Sequence, residues 1–157
     1  SKQIFDKLIK EGKDLKVRPG CPNLIERIES GLLSYGNDMD MNDTPLECNL
    51  DSFVSFNPDI EYLGKVALQK QKDQGVSRSL IGLVLDLDEI SVTQYIPIKK
   101  DGLLIGSLRS ACYSPEFNKC LGIAMVDKSY QSLEQNLSLE INGNEISAKM
   151  TNLPFQK

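Results

Sequence analysis

The second half of the chain is a series of short apolar runs separated by turn-forming residues, and this pattern restricts its fold more than any other feature. Six runs follow one another, at residues 79–87, 96–98, 103–108, 120–126, 137–141 and 145–150. The intervening residues include Lys100-Asp101-Gly102, Ser114-Pro115 and Asn142-Gly143. Asp-Gly and Asn-Gly pairs favour the tight turns of β-hairpins. The sequence therefore predicts a small antiparallel barrel or sandwich in this half.

The first 75 residues follow a helical pattern instead. Ile4, Phe5, Leu8 and Ile9 form one apolar helical face that Gly12 is placed to end, and a second helix is predicted at 64–74. Short strands are predicted at 15–17 and 50–56, too few to form the sheet that these helices would cover. We therefore expect an α+β chain of two parts: a partial α/β layer at 1–75 and a β-barrel at 76–157. We also expect it to be part of a longer protein.

The charge pattern excludes several classes of partner. The 157 residues carry a net charge of −4 at pH 7, and the most basic cluster, Lys99-Lys100, is too small to neutralise a phosphate backbone. No apolar run approaches the roughly 20 residues that cross a bilayer. We expect neither a nucleic-acid nor a membrane partner.

Histidine is absent, which excludes imidazole-based catalysis and imidazole metal sites within these residues. The four cysteines, Cys21, Cys48, Cys112 and Cys120, contain no C-x-x-C pair. This spacing argues against a zinc site. We expect reduced, mostly buried thiols in a cytoplasmic protein.

Charged and polar residues concentrate between positions 21 and 40. Leu24, Ile25, Ile28 and Leu32 recur at helical spacing, and Arg27 lies at the edge of the face that they form. An arginine there can lay its stem on the core and direct its guanidinium into a cleft. Gly31 is placed to end the helix, and residues 35–38 are typical of a turn. The alternative interpretation is a capped surface helix followed by a turn.

This region resembles the glycine-cleavage T-protein (aminomethyltransferase) family. Residues 24–31 and 35–40 are similar to its R-x-E-x-G…Y-G-N-D signature. Thr44-Pro45-Leu46-Glu47 resembles its T-P-x-E motif, and Tyr62-Leu63-Gly64-Lys65 resembles its [FY]-I-G-[KR] motif. Arg78, Gly102, Ser114-Pro115 and Leu153-Pro154-Phe155 then match its C-terminal barrel in order. The resemblance covers nearly the whole chain.

The resemblance implies a tetrahydrofolate-dependent one-carbon transferase with three domains around a folate cavity. This chain would contain the end of the second domain and the whole barrel. The family's catalytic Asp and pterin-binding Glu lie upstream, so no catalytic residue is assigned here, and the isolated chain is expected to be inactive. Arg27 carries over as a folate contact, with a structural ion pair as its alternative role.

Three further residues complete the candidate cofactor-binding set. Glu29 and Asp38 are each placed to orient Arg27 as hydrogen-bond acceptors. Tyr35 is a candidate to stack on the ligand, with a core aromatic as the alternative.

Two motifs favour the dimethylsulfoniopropionate demethylase branch of the family. Cys21-Pro22-Asn23 stands where the T-protein has an Arg-Asp pair, and Leu108-Arg109-Ser110-Ala111 replaces its V-T-S-G. The expected partner is then a small-molecule one-carbon donor with a sulfonium group. A true aminomethyltransferase, whose partner is a lipoyl carrier protein, is the alternative. A non-catalytic folate-binding iron–sulfur assembly factor fits less well, because residues 61–68 contain no cysteine.

The cysteine and histidine pattern yields a direct test. Elemental analysis of the purified protein should find no stoichiometric zinc or iron, because neither imidazole nor paired thiolates are available to bind it. A tightly bound metal would overturn the interpretation of the cysteines as buried apolar residues.

Overall fold

The computed structural model describes residues 2–17, 23–131 and 136–155, without the side chains of residues 136 and 137. Cys21 and Pro22 therefore lie outside the described residues. The α-helices are α1 (Lys2–Glu11), α2 (Leu24–Glu29) and α3 (Lys65–Gln74). The strands are β1 (Arg78–Leu85), β2 (Ile96–Lys100), β3 (Leu103–Ser114), β4 (Lys119–Asp127), β5 (Asn136–Ile141) and β6 (Asn144–Thr151). None of the described helices is long and apolar enough to cross a membrane.

The six strands form a closed barrel in the order β1-β4-β3-β2-β5-β6, with every neighbouring pair antiparallel. The predicted antiparallel barrel is confirmed. Asp101-Gly102 joins β2 to β3 and Asn142-Gly143 joins β5 to β6, and all four residues have positive φ. These are the backbone angles that a two-residue hairpin turn requires.

The barrel interior is filled by aliphatic side chains from all six strands. Ile98, Ile105, Leu108, Leu139 and Met150 have no exposed surface. Each such side chain contributes roughly 1.5–3 kcal/mol when it leaves water. The interior is therefore a packed core.

A second apolar cluster lies on the outer face of β4. Cys120, Ala124 and Val126 belong to the interior core, whereas Leu121, Ile123 and Met125 belong to the second cluster. Successive strand residues point to opposite faces, so β4 is covered on both. The second cluster also contains Ile28 from α2, which has no exposed surface. Through this second cluster, the N-terminal segment packs apolar side chains on the barrel.

The prediction of two short strands in the N-terminal segment is wrong. Residues Lys13–Leu15 and Asp51–Phe53 form 3-10 turns, where strands were predicted at 15–17 and 50–56. Alternating large apolar side chains do not form a strand unless a neighbouring strand is available for main-chain hydrogen bonds. Phe53 is 85% exposed. The two longer predicted helices are present as α1 and α3, and Val66 of α3 is exposed.

A glycine in β3 permits the close approach of β4. A Cβ on Gly106 would lie 2.2 Å from the Met125 carbonyl oxygen, which belongs to rigid backbone. We predict that Gly106→Ala lowers the free energy of unfolding by about 3 kcal/mol, measured in urea. Gly102→Ala is the control, because its Cβ would meet no atom within 4 Å and only its φ of +76° is strained. The control should lose about 1 kcal/mol, and equal losses would contradict the steric explanation.

Candidate functional site

Arg27 lies on α2 and is held by the turn that follows the helix. The helix begins at Asn23, whose side chain accepts a hydrogen bond from the Glu26 N–H at 2.8 Å. Arg27 Nη1 donates to Asp38 Oδ2 at 2.5 Å and to the Leu32 carbonyl at 3.2 Å. The Arg27 side chain is 13% exposed, so most of it is enclosed.

Asp38 is a buried carboxylate with three hydrogen-bond donors. Its Oδ2 accepts from Arg27 and, at 2.7 Å, from the Ser34 N–H, while its Oδ1 accepts from the Ser110 hydroxyl of β3. Asp38 has no exposed surface. A buried carboxylate is tolerated only with such partners. The turn at 34–38 is therefore joined to both α2 and the barrel.

Glu29 does not contact Arg27. Its Oε1 accepts a hydrogen bond from the Ser114 hydroxyl at 2.5 Å, and its main-chain oxygen accepts from the Phe155 N–H at 3.2 Å. Residues two apart on a helix do not face each other, which explains why Glu29 points elsewhere. Among the two expected acceptors, Asp38 binds the guanidinium and Glu29 fixes the helix to the barrel.

Tyr35 is 63% exposed, so its ring is not part of the core that the described residues form. The residue forms an isolated bridge with Met39 at the start of the turn. Its side chain has no hydrogen-bond partner among the described residues, which leaves the ring accessible at the surface.

The Arg27 guanidinium keeps unused donors. Both of its hydrogen bonds involve Nη1, and within residues 2–17, 23–131 and 136–155 the Nε and Nη2 groups have no acceptor. A guanidinium has five N–H donors in a planar fork. The unused edge can donate to carbonyl or ring-nitrogen acceptors of a ligand.

A second polar cluster, which the sequence did not predict, fixes residues 40–47 to the barrel. Asp43 Oδ1 accepts from Arg78 Nη2 at 3.1 Å and from Arg109 Nη2 at 3.2 Å, and Asp43 Oδ2 accepts from Arg109 Nη1 at 3.3 Å. The Arg109 guanidinium also lies 3.9 Å above the Tyr95 ring. The side chain of Asp43 is 1% exposed and that of Arg109 is 6% exposed. These contacts join residues 35 and 66 positions apart.

The T-P-x-E motif forms a reciprocal cap within this cluster. Glu47 Oε2 accepts from the Thr44 N–H at 2.8 Å, and Thr44 Oγ1 accepts from the Glu47 N–H at 3.3 Å. Glu47 Oε1 also accepts from Arg78 Nε at 2.8 Å. Burial opposes ionisation of Glu47, but the hydrogen bonds from Arg78 and Thr44 outweigh it and lower its pKa. The same bond to Glu47 raises the pKa of Arg78.

The described cysteines are unsuited to nucleophilic chemistry. Burial raises the pKa of Cys48 and of Cys112 to about 11, and burial also raises the pKa of Cys120. All three are buried and unpaired thiols, and a protonated thiol is a poor nucleophile. The described part of the chain contains no group of three His, Cys, Asp or Glu residues that could hold a metal ion.

An apolar cleft of about 390 Å³ adjoins the end of α2. Its walls come from residues 30–33, Met39, residues 48–50, Phe53 and Leu153-Pro154. None of the four candidate residues lines it. Two of its wall residues are close to them: the Leu32 carbonyl accepts from Arg27, and Met39 directly follows Asp38 in the chain. The Arg27 guanidinium therefore adjoins the cleft through the Leu32 carbonyl but does not line it.

Two family models match the chain. The glycine cleavage T-protein C-terminal barrel domain matches residues 78–157, and the GCVT N-terminal domain matches residues 1–58. The barrel match begins at the first residue of β1.

Curated relatives and a solved structure resemble the chain over most of its length. The chain is 42% identical to dimethylsulfoniopropionate demethylase of Ruegeria pomeroyi over 87% of this chain and 37% of the relative. It is 34% identical to an aminomethyltransferase of Clostridium botulinum over 94% of this chain and 40% of the relative. The aminomethyltransferase T of the Bartonella henselae glycine cleavage system matches with a TM-score of 0.73 and 25% identity, over 83% of this chain and 37% of that one. The chain spans about two fifths of the length of these curated relatives.

The Glu47 contacts predict a pH-dependent contribution to stability. Because the folded pKa of Glu47 is below its ordinary value of 4.5, its contribution is complete above that value and is lost as the pH falls through the folded pKa. We predict that Glu47→Gln lowers the free energy of unfolding by about 2 kcal/mol at pH 7, and that the difference from wild type disappears in acid.

Urea unfolding between pH 7 and pH 3 measures this difference. Glu140→Gln is the control, because Glu140 and its partner Lys99 have side chains 39% and 41% exposed, and exposed ion pairs contribute little. A Glu47→Gln deficit that stays constant across the pH range would contradict the assignment.

Proposed function

The chain belongs to the glycine cleavage T-protein family, and on this premise we propose that it forms the C-terminal part of a tetrahydrofolate-dependent one-carbon transferase. Residues 1–75 would belong to the central folate-binding domain and residues 76–157 to the barrel domain. The observation that carries the proposal is the enclosed Arg27, which Asp38 fixes along one edge while Nε and Nη2 remain unused. Both residues belong to motifs that the family shares.

Arg27 would contact the folate directly. Its planar fork suits the carbonyl and nitrogen acceptors of a pterin, or a folate carboxylate. Asp38 would hold the fork in one orientation, and the exposed Tyr35 ring would offer a stacking surface. Glu29 would act from further away, by fixing α2 on the barrel through Ser114. No residue of the chain is assigned a catalytic role, and the isolated chain would be inactive because the folate cavity requires walls from the rest of the protein.

The proposed donor is a sulfonium such as dimethylsulfoniopropionate. Support comes from the 42% identity to the Ruegeria pomeroyi demethylase and from residues 110–115, whose S-A-x-x-S-P form resembles the demethylase branch and whose two serines bind Asp38 and Glu29. In the reaction a methyl C–S bond breaks as a bond from carbon to folate N5 forms. The sulfur keeps the electron pair and leaves as a neutral thioether, and the N5 proton passes to solvent or a base. Since the leaving group is already good, positioning supplies much of the catalysis.

Aminomethyl transfer is the second candidate. It is favoured by the 34% identity to the Clostridium botulinum aminomethyltransferase, which extends over more of the chain. The partner would then be an aminomethyl-loaded lipoyl carrier protein.

One assay on the full-length protein separates the two reactions. Tetrahydrofolate is supplied with dimethylsulfoniopropionate in one reaction and with the aminomethyl-loaded carrier in another. We expect 5-methyltetrahydrofolate in the first. Methylenetetrahydrofolate with released ammonia in the second would overturn the sulfonium proposal in favour of aminomethyl transfer.

Arg27 provides the test of the binding site. We predict that Arg27→Ala in the full-length protein raises the Kd for tetrahydrofolate more than tenfold, because a hydrogen-bonded guanidinium contributes about 1.5–3 kcal/mol. The Kd of Arg27→Lys should lie between those of wild type and Arg27→Ala, since lysine keeps the charge but lacks the planar fork of donors. Lys99→Ala, which removes a cation from an exposed pair on β2, is the control. An unchanged Kd for Arg27→Ala, with the protein folded, would remove Arg27 from the site.

A further inference from the structure

Two consecutive residues of β3 bind the same N-terminal segment. Ser110 donates to Asp38, and Arg109 donates to Asp43 at 3.2 and 3.3 Å. Consecutive residues of a regular strand point to opposite faces. The pairing of β3 with β4 shifts register between Leu108 and Ser110, so that Arg109 is an extra residue. A bulge of this kind re-aims side chains, and here it lets both residues reach residues 38–43.

The bulge therefore holds both ends of a six-residue loop. Ser110 is 6% exposed and Arg109 is 7% exposed, so both contacts are shielded from solvent. At one end of the loop, Asp38 connects Ser110 to Arg27. At the other end, Asp43 connects Arg109 to Arg78.

We propose that Ser110 is a positioning residue for the one-carbon transfer, because its hydroxyl fixes the Asp38 carboxylate that holds the Arg27 guanidinium. This inference rests on the proposed function, since it assumes that Arg27 contacts folate. Ser110 is buried and its described side-chain hydrogen bond goes to Asp38, so it acts on Arg27 indirectly. Its hydroxyl links the barrel to Arg27 on α2 through a single intervening side chain, that of Asp38.

The two oxygens of Asp38 show why this contact matters. Oδ2 accepts from Arg27 and from the Ser34 N–H, whereas Oδ1 accepts from Ser110 alone among the described residues. Without the hydroxyl, Oδ1 is buried and unpaired, which is costly. The carboxylate then turns towards other donors, and Arg27 loses the partner that fixes its orientation.

Ser110→Ala in the full-length protein tests the proposal. We expect the Kd for tetrahydrofolate to rise about fivefold, as for the loss of one buried hydrogen bond. The KM for tetrahydrofolate should rise in parallel while the KM for the one-carbon donor stays unchanged, because Arg27, through which Ser110 acts, is proposed to contact folate and not the donor. Ser110→Cys, which keeps the side-chain size but donates weakly, provides the same measurement should the alanine variant fail to fold.

A double-mutant cycle separates positioning from general destabilisation. In an Arg27→Ala background, Ser110→Ala should cause no further loss of tetrahydrofolate affinity, because the residue through which it acts is gone. Ser114→Ala removes a comparable buried serine–carboxylate bond four residues further along β3. Its effect on affinity should be smaller than that of Ser110→Ala and should add to that of Arg27→Ala. Ser79→Ala, which removes a buried β1 hydroxyl bonded to Gln131, should leave the affinity unchanged.

The outcomes distinguish the positioning role of Ser110 from the proposed folate contact of Arg27. If Arg27→Ala weakens binding but Ser110→Ala does not, or if their effects add, the positioning role is overturned and the proposed function stands. An equal loss of affinity from Ser114→Ala would assign the effect to helix docking, which also overturns it. If Arg27→Ala leaves the affinity unchanged, the proposed binding site and the role of Ser110 fall together.

Discussion

The arrangement of the N-terminal segment on the barrel depends on one buried carboxylate. Asp38 has no exposed surface, and its donors come from three separate elements: Arg27 of α2, the Ser34 main chain and Ser110 of β3. An ionised carboxylate in such a place is costly unless each of these partners is present. The helix, the turn and the bulged strand must therefore adopt their positions together, and the apolar contact of Ile28 with the outer face of β4 supports the same arrangement.

The barrel could be predicted from the sequence because its determinants are local. The Asp101-Gly102 and Asn142-Gly143 turns fix hairpins through backbone angles that other residues rarely adopt. The N-terminal segment was harder to predict, since the expected strand at 50–56 had suitable residues but no neighbouring strand. The second polar cluster, around Asp43, depends on contacts between residues 35 and 66 positions apart in the sequence, which no local pattern encodes. The bulge in β3, which aims Arg109 and Ser110 at one loop, likewise leaves no signal in the alternation of apolar residues.

For the candidate site, the sequence indicated Arg27 and its possible carboxylate partners. Helical spacing placed Arg27 at the edge of an apolar face, its role as a folate contact came from the family resemblance, and both Glu29 and Asp38 were expected to orient it. The geometry of a helix distinguishes them, because residues two positions apart diverge by about 200° around the axis. Glu29 consequently faces Ser114, and the guanidinium is bound by a residue beyond the end of α2. The distinction was available in principle from helical spacing alone.

Closure of the barrel limits how another protein can approach it. Each described strand has a partner on both sides, although β2 and β5 pair only at residues 98–99 and 140–141, so the sheet offers no long free edge. A carrier or regulatory protein could not bind by extending this sheet with a strand of its own. Recognition would have to use outward-pointing side chains and connecting loops, which change more readily between relatives than a strand register does. The closed ring thus allows partner preference to diverge while the scaffold stays constant.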